Sequence, residues 1–149
     1  MSFKYIKLIG IIFLFISCND VSEIYLIPKD YHGKVSILFN QEKGSPPQFE
    51  NNTRVYKIPS NGILLTQFED VYGYAQRKYY FVDSKGNRSP IKVLDNRNSN
   101  NSEVGIYNAT NGVYGNSDAK NPLKFQEFYV SSKKNLDTYM TNDMENFIN

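Results

Sequence analysis

Apolar and polar residues alternate most cleanly over residues 33–40, with Val35, Ile37 and Phe39 on one side and Lys34, Ser36 and Leu38 on the other. Successive side chains of a strand point to opposite faces, so a period of two predicts a half-buried β-strand. Similar segments recur along the chain. Residues 23–27 read as a first strand stopped by Pro28, and residues 54–58 as another ended by Pro59. After the Ser60-Asn61-Gly62 turn, residues 63–68 continue as a short strand. Residues 75–82 and 89–94 flank Asp83-Ser84-Lys85-Gly86-Asn87, a glycine-containing connection that fits a hairpin. Residues 104–107 and 112–114 carry weaker strand patterns, and residues 124–130 a stronger, aromatic one. Residues 41–53, with Pro46-Pro47, and the polar stretch 95–102 read as loops.

The period changes at the C-terminal end. Leu136, Tyr139, Met140, Asp143, Met144, Phe147 and Ile148 mostly recur at three and four residues, the spacing of one helical face, and Ser131 and Ser132 offer N-caps. Strand after strand with turns between them predicts a mainly β fold: a single antiparallel β-sandwich or partly open barrel. An amphipathic helix over about 132–148 is expected to cover one of its open faces or edges.

The N-terminal segment follows a different logic. Lys4 and Lys7 precede an unbroken apolar run, residues 8–16, which ends on Ser17-Cys18. A membrane-crossing helix needs about 20 apolar residues. The run is too short for that and suits the core of a secretory signal, with a small residue at the cleavage point. Cys18 is the only cysteine, and its setting resembles the lipobox of bacterial lipoproteins, in which the thiol is acylated and the chain cut just before it. The expected organisation is a signal peptide over 1–17, a lipidated tether over 18–23 and a β-rich extracytoplasmic domain over 24–149. Cys18 is the expected site of palmitate attachment, and Asn19 after it points to the outer membrane of a bacterial cell envelope.

Composition narrows the partners. Removing residues 1–17 also removes Lys4 and Lys7, so 15 basic residues face 15 acidic ones. A near-zero net charge speaks against nucleic acid, whose binders concentrate basic charge. With Cys18 acylated no thiol is left for a disulfide, and the core alone must hold the domain. The chain has 12 Tyr, 10 Phe and 18 Asn but no Trp, a mixture that suits strands joined by asparagine-rich turns.

Chemistry is sparse. His32, the sole histidine, lies in the turn after the first strand with Asp30 nearby, yet no serine joins them in a recognisable motif. The pair Glu69-Asp70 would need a partner brought in by folding. Asp95, Asn96, Asn98, Asn100 and Glu103 are rich in oxygen, but Arg97 and the missing glycine break the spacing of a calcium loop. No catalytic residue, metal ligand or cofactor is expected. Tyr72 and Tyr74, flanking Gly73 in a loop, are the candidate ligand contacts, because tyrosine pairs an apolar body with a polar tip.

Two longer stretches carry a resemblance. Tyr25-Leu26-Ile27-Pro28, followed by Gly33-Lys34-Val35, and Val55-Tyr56-Lys57-Ile58-Pro59-Ser60-Asn61-Gly62-Ile63-Leu64 are similar to motifs of an uncharacterised group of small bacterial lipoproteins with a domain of unknown function. The likeness covers residues 24–94 and implies a β-rich domain without implying an activity. The expected function is therefore that of a non-catalytic, lipid-anchored envelope protein that binds a protein, peptide or glycan near the membrane. An immunity or inhibitor lipoprotein that neutralises a toxin or hydrolase is the alternative. A hydrolase built on His32 or a carboxylate pair is the second.

Overall fold

Glu23, Tyr25 and Ile27 point inward from a strand that occupies the middle of its sheet, and the fold is organised around them. The computed structural model describes residues 21–71, 74–95, 97, 102–115 and 122–140. Strands β1 (Val21–Pro28), β2 (Gly33–Leu38), β3 (Phe49–Glu50), β4 (Thr53–Lys57) and β5 (Ile63–Leu65) come first. They are followed by β6 (Ala75–Val82), β7 (Arg88–Ile91), β8 (Val104–Tyr114), β9 (Leu123–Ser132), a 3-10 turn (Lys133–Asn135) and helix α1 (Leu136–Met140). One sheet has the order β3-β4-β1-β6-β7 and the other β5-β2-β9-β8. The two form the expected β-sandwich and do not close into a barrel.

Both sheets are mixed, which corrects the expectation of antiparallel pairing throughout. β1 runs parallel to β4 and β6, and β2 parallel to β5, while the β2–β9, β8–β9, β3–β4 and β6–β7 pairs are antiparallel. A tight turn can only join antiparallel neighbours; parallel ones need a long crossover. Here the chain leaves β1 for β2 in the facing sheet and returns to β4 in the original direction. Turn residues mark where a strand stops, not which sheet the next one joins.

The alternating positions fill the interior. Tyr25, Ile27, Val35, Ile37, Tyr56, Ile106, Phe128 and Val130 are all essentially inaccessible to solvent and belong to one cluster. Tyr56, Tyr25 and Tyr79 are register partners on β4, β1 and β6. Their rings stack, with centroids 5.0 Å apart for Tyr25–Tyr56 and 4.8 Å for Tyr25–Tyr79. Phe128 closes the stack edge-on from the opposite sheet, 5.6 Å from Tyr25 and 5.1 Å from Tyr79. Such arrangements add about 0.5–1.5 kcal/mol per pair beyond area burial.

The weak strand patterns at 104–107 and 112–114 belong to one strand. β8 pairs with β9 along its length, and between Tyr107 and Thr110 the register slips by one residue. Asn108 sits there at φ 49, so the extra residue forms a β-bulge. Asn40, Asn51 and Asn52 are the other non-glycine residues with positive φ among those described, all asparagine, the residue that tolerates this region best after glycine. The short β3, inside the loop expected over 41–53, has too few residues to show a period.

The C-terminal helix packs where a cover was expected. Leu136 is buried against Tyr107 and Tyr129, with Leu94 and Tyr139 beside it. These residues lie on the face of the second sheet turned away from the core. The described helix is Leu136–Met140, preceded by the 3-10 turn; residues 141–148 of the predicted helix lie outside the described residues.

Gly62 shows how the turns are fixed. It has φ 79, and a Cβ there would strike the Tyr31 hydroxyl and approach the Lys34 carbonyl to 2.6 Å. Tyr31 itself donates to the Lys34 carbonyl, locking the turn onto the start of β2. Gly62→Ala is expected to cost about 1–3 kcal/mol, read as a lower denaturant midpoint with unchanged slope.

Candidate functional site

The carboxyl ends of the parallel strands β4, β1 and β6 meet at one end of the sandwich, and the loops leaving them enclose a shallow depression of about 900 Å³. Its walls come from Pro28–His32 after β1, Ser60 after β4, and Val82–Lys85 with Asn87 from the β6–β7 connection. Backbone hydrogen bonds brace this rim: Lys29 donates to the Val82 carbonyl at 3.0 Å, and Tyr31 to that of Pro28 at 3.0 Å. Asp83 holds the hairpin turn by accepting from the amides of Lys85 (2.9 Å) and Asn87 (2.8 Å) and from Asn87 Nδ2 (2.8 Å). The bonds from Asn87 hold the Asp83 carboxyl below the usual carboxylate range. Lys29, Asp30, His32, Ser60 and Lys85 are exposed, and among the described residues their side chains make no hydrogen bond. The result is a braced frame carrying exposed cationic, anionic and hydroxyl groups, with the Lys29 charge near Asp83, which suits polar recognition.

The opposite end holds a closed polar cluster. Glu23 is 3% exposed. Its carboxylate accepts from Arg77 Nε at 3.0 Å, from the Tyr25 hydroxyl at 2.7 Å and from the Tyr56 hydroxyl at 3.2 Å. The Tyr25 oxygen also lies 2.7 Å from the Gln126 side-chain amide. A phenol has one proton, already given to Glu23, so the amide is assigned with its NH2 toward Tyr25. That orientation also gives a partner to the otherwise unpaired Gln126 nitrogen. Arg77 continues to Asn111 Oδ1 at 3.3 Å, tying β6 of one sheet to β8 of the other. Burial, reinforced by the Glu23 charge, pushes the Tyr25 and Tyr56 hydroxyls well above the usual tyrosine range.

Phe49, Arg54, Glu23 and Arg77 form a single rung across the first sheet, and Asn111, Gln126, Ile37 and Leu64 the matching rung of the second. The signal that could have revealed the cluster was present: Glu23 shares the inward parity of Tyr25 and Ile27. Its partner Arg77 lies 54 residues away on a strand whose pairing no local pattern discloses.

The residues singled out earlier fall in separate places. His32 and Asp30 share the rim of the depression, with no hydrogen bond between them or to a hydroxyl among the described residues. Glu69 is exposed and Asp70 half-buried, at the other end of the fold. Asp95 accepts from the Arg97 amide at 2.9 Å; Asn96, Asn98 and Asn100 lie outside the described residues. No group of three or more acidic, histidine or cysteine side chains is close enough to hold a metal ion among the described residues. Tyr74 is 78% exposed just before β6, whereas Tyr72 and Cys18 lie outside the described residues. β1 begins at Val21, so residues 21–23 are part of the central strand.

Comparison with known proteins places the chain in a family and gives it a neighbour of similar fold. The profile of a family described as a family of unknown function (DUF6843) matches residues 19–139, and the chain belongs to that family. A search of curated proteins finds no match. The fold is similar to the 2.75 Å crystal structure of a "Putative Lipoprotein from Bacillus anthracis", with a TM-score of 0.56 and 21% identity over 73% of this chain and 68% of that one. At that identity the likeness is one of fold.

Proposed function

We propose that this family member is a non-catalytic, lipid-anchored envelope protein, which presents its polar depression to a protein, peptide or glycan partner. The observation that carries this reading is the placement of the two ends of β1. The strand starts at Val21, three residues after Cys18, and ends at Pro28 on the rim of the depression. At roughly 3.3 Å per residue, the strand sets the depression about 23 Å from the tether. A lipid on Cys18 holds one end at the bilayer, and with the strands upright the depression faces away from it. The signal-like residues 1–17, the lipobox-like Ser17-Cys18 and the lipoprotein name of the fold neighbour support the anchor. Asn19 supports the outer membrane as its location.

A photo-crosslinking residue at Lys85 in cells is expected to capture a specific partner, and the same residue at Lys78, exposed on the flank of the first sheet, is not. Cys18→Ala is expected to abolish palmitate labelling and the adduct together. Equal adducts from both positions, or undiminished labelling of Cys18→Ala, would overturn the reading.

A further inference from the structure

Five of the seven large apolar side chains exposed among the described residues cluster at the tether end: Phe49, Leu65, Tyr74, Val113 and Tyr114. Strand register places them there. Phe49 lies on the Glu23 rung, and Tyr74 precedes Ala75, the partner of Val21. Val113 and Tyr114 lie just beyond Asn111, which Arg77 binds, and Leu65 pairs with Leu38 one step below the Gln126 rung. Val93 and Met140, the other two, lie toward the opposite end: Val93 bridges to Ile106, and Met140 closes α1 after β9. Tyr74 is 78% exposed, and Phe49 remains 60% exposed although its ring meets the buried Phe68 edge-on at 5.3 Å.

We infer that this rim is a membrane-seating surface, whose aromatic and aliphatic side chains rest in the headgroup layer of the bilayer that carries the anchor. The inference rests on acylation of Cys18. Chain reach then selects the occupant. From Cys18 to Val21 an extended chain spans at most about 11 Å, while the sandwich is about twice that long along its strands. An acylated Cys18 thus keeps this rim within reach of the headgroups in every orientation, whereas the depression end reaches them only if the sandwich lies flat on the bilayer. Tyrosine and phenylalanine suit that layer because it is apolar on one side and wet on the other. The cations at this end are not a free basic patch: Lys43 and Lys124 are accompanied by Glu42, Glu69 and Asp70. Arg77 is engaged by Glu23, and Arg54 donates to the Glu69 carbonyl and lies over the Phe68 ring.

The test uses the full chain, processed in cells and reconstituted into zwitterionic phosphatidylcholine vesicles. An environment-sensitive fluorophore is placed on Tyr74→Cys or, as the distal control, on Lys85→Cys, and acylation of Cys18 is read on each sample by mass. Lipids with a nitroxide on the headgroup are expected to quench the fluorophore at position 74 several-fold more than at 85, with little dependence on salt. Adding Val113→Ser and Tyr114→Ser is expected to reduce that difference while acylation stays intact. Equal quenching at the two positions in acylated protein overturns the seating surface and leaves the anchor standing. A fluorophore at 74 that is shielded from water without being quenched by the lipids assigns the rim to contact with a second copy of the chain and also overturns it. Absence of acylation removes both readings.

Discussion

Glu23→Ala is expected to destabilise the domain by about 3–5 kcal/mol, the usual cost of leaving one member of a buried ion pair without the other. The substitution removes the acceptor of Arg77 Nε and of the Tyr25 and Tyr56 hydroxyls at once. Three donors are left facing a cavity. Glu23→Gln keeps an acceptor for the phenols but not the charge opposite Arg77, and should fall between wild type and alanine. A double variant, Glu23→Leu with Arg77→Met, is expected to recover part of the loss, because the charge left behind costs more than the pair contributes. Urea unfolding followed by tyrosine fluorescence measures all three. A loss below about 1 kcal/mol for Glu23→Ala would mean that water reaches the cluster and solvates Arg77 in its place.

Alkaline pH is expected to unfold the domain through the tyrosine stack. Tyr79 is pushed up to about 12 by burial, against a lowering contribution from Arg77. Tyr25 and Tyr56 lie above the usual range for the same first reason. Below the ordinary tyrosine value near 10 both folded and unfolded chains keep these protons, and the stabilising contribution is complete. As pH rises past that value the unfolded chain ionises while the buried phenols do not. The unfolded state then binds fewer protons, and stability falls until the folded-state values are passed. At about 1.4 kcal/mol per unit, Tyr79 alone accounts for roughly 3 kcal/mol of that loss. The urea midpoint should therefore hold to about pH 9 and drop steeply by about pH 11, with the share of tyrosinate absorbance that belongs to the three stacked phenols appearing only as the fold is lost. In Tyr79→Phe the drop should be shallower. A midpoint unchanged to about pH 11 would show the stack to be open to hydroxide.

How much of this was legible depends on how local each feature is. Residues 75–82 carry an aromatic run bounded by turn residues, and β6 occupies those positions. Val35, Ile37 and Phe39 point into the core as their alternation required. Tyr139 lies three residues from Leu136, and both pack on the second sheet. Pairing partners were not legible. Whether β1 meets β2 or β4 depends on which face of the sandwich each turn delivers the chain to, and Pro28 and Gly33 end and begin strands in either case. The bulge at Asn108 split one strand into two fragments in sequence, because an extra residue reverses the inward parity along the strand. The depression was invisible for a related reason. Its walls come from three loops separated by about twenty to thirty residues each, joined only because β1, β4 and β6 run the same way.

That shared direction has a mechanical consequence. β1 is bonded on both sides, over eight residues to β6 and four to β4. A force drawn along it from the Val21 end runs parallel to the strands and perpendicular to their hydrogen bonds. The two ladders then bear the load together, as a lap joint does in shear, instead of opening one bond at a time. A pull on the N-terminal end therefore meets the whole grip of the first sheet before the strand can leave it.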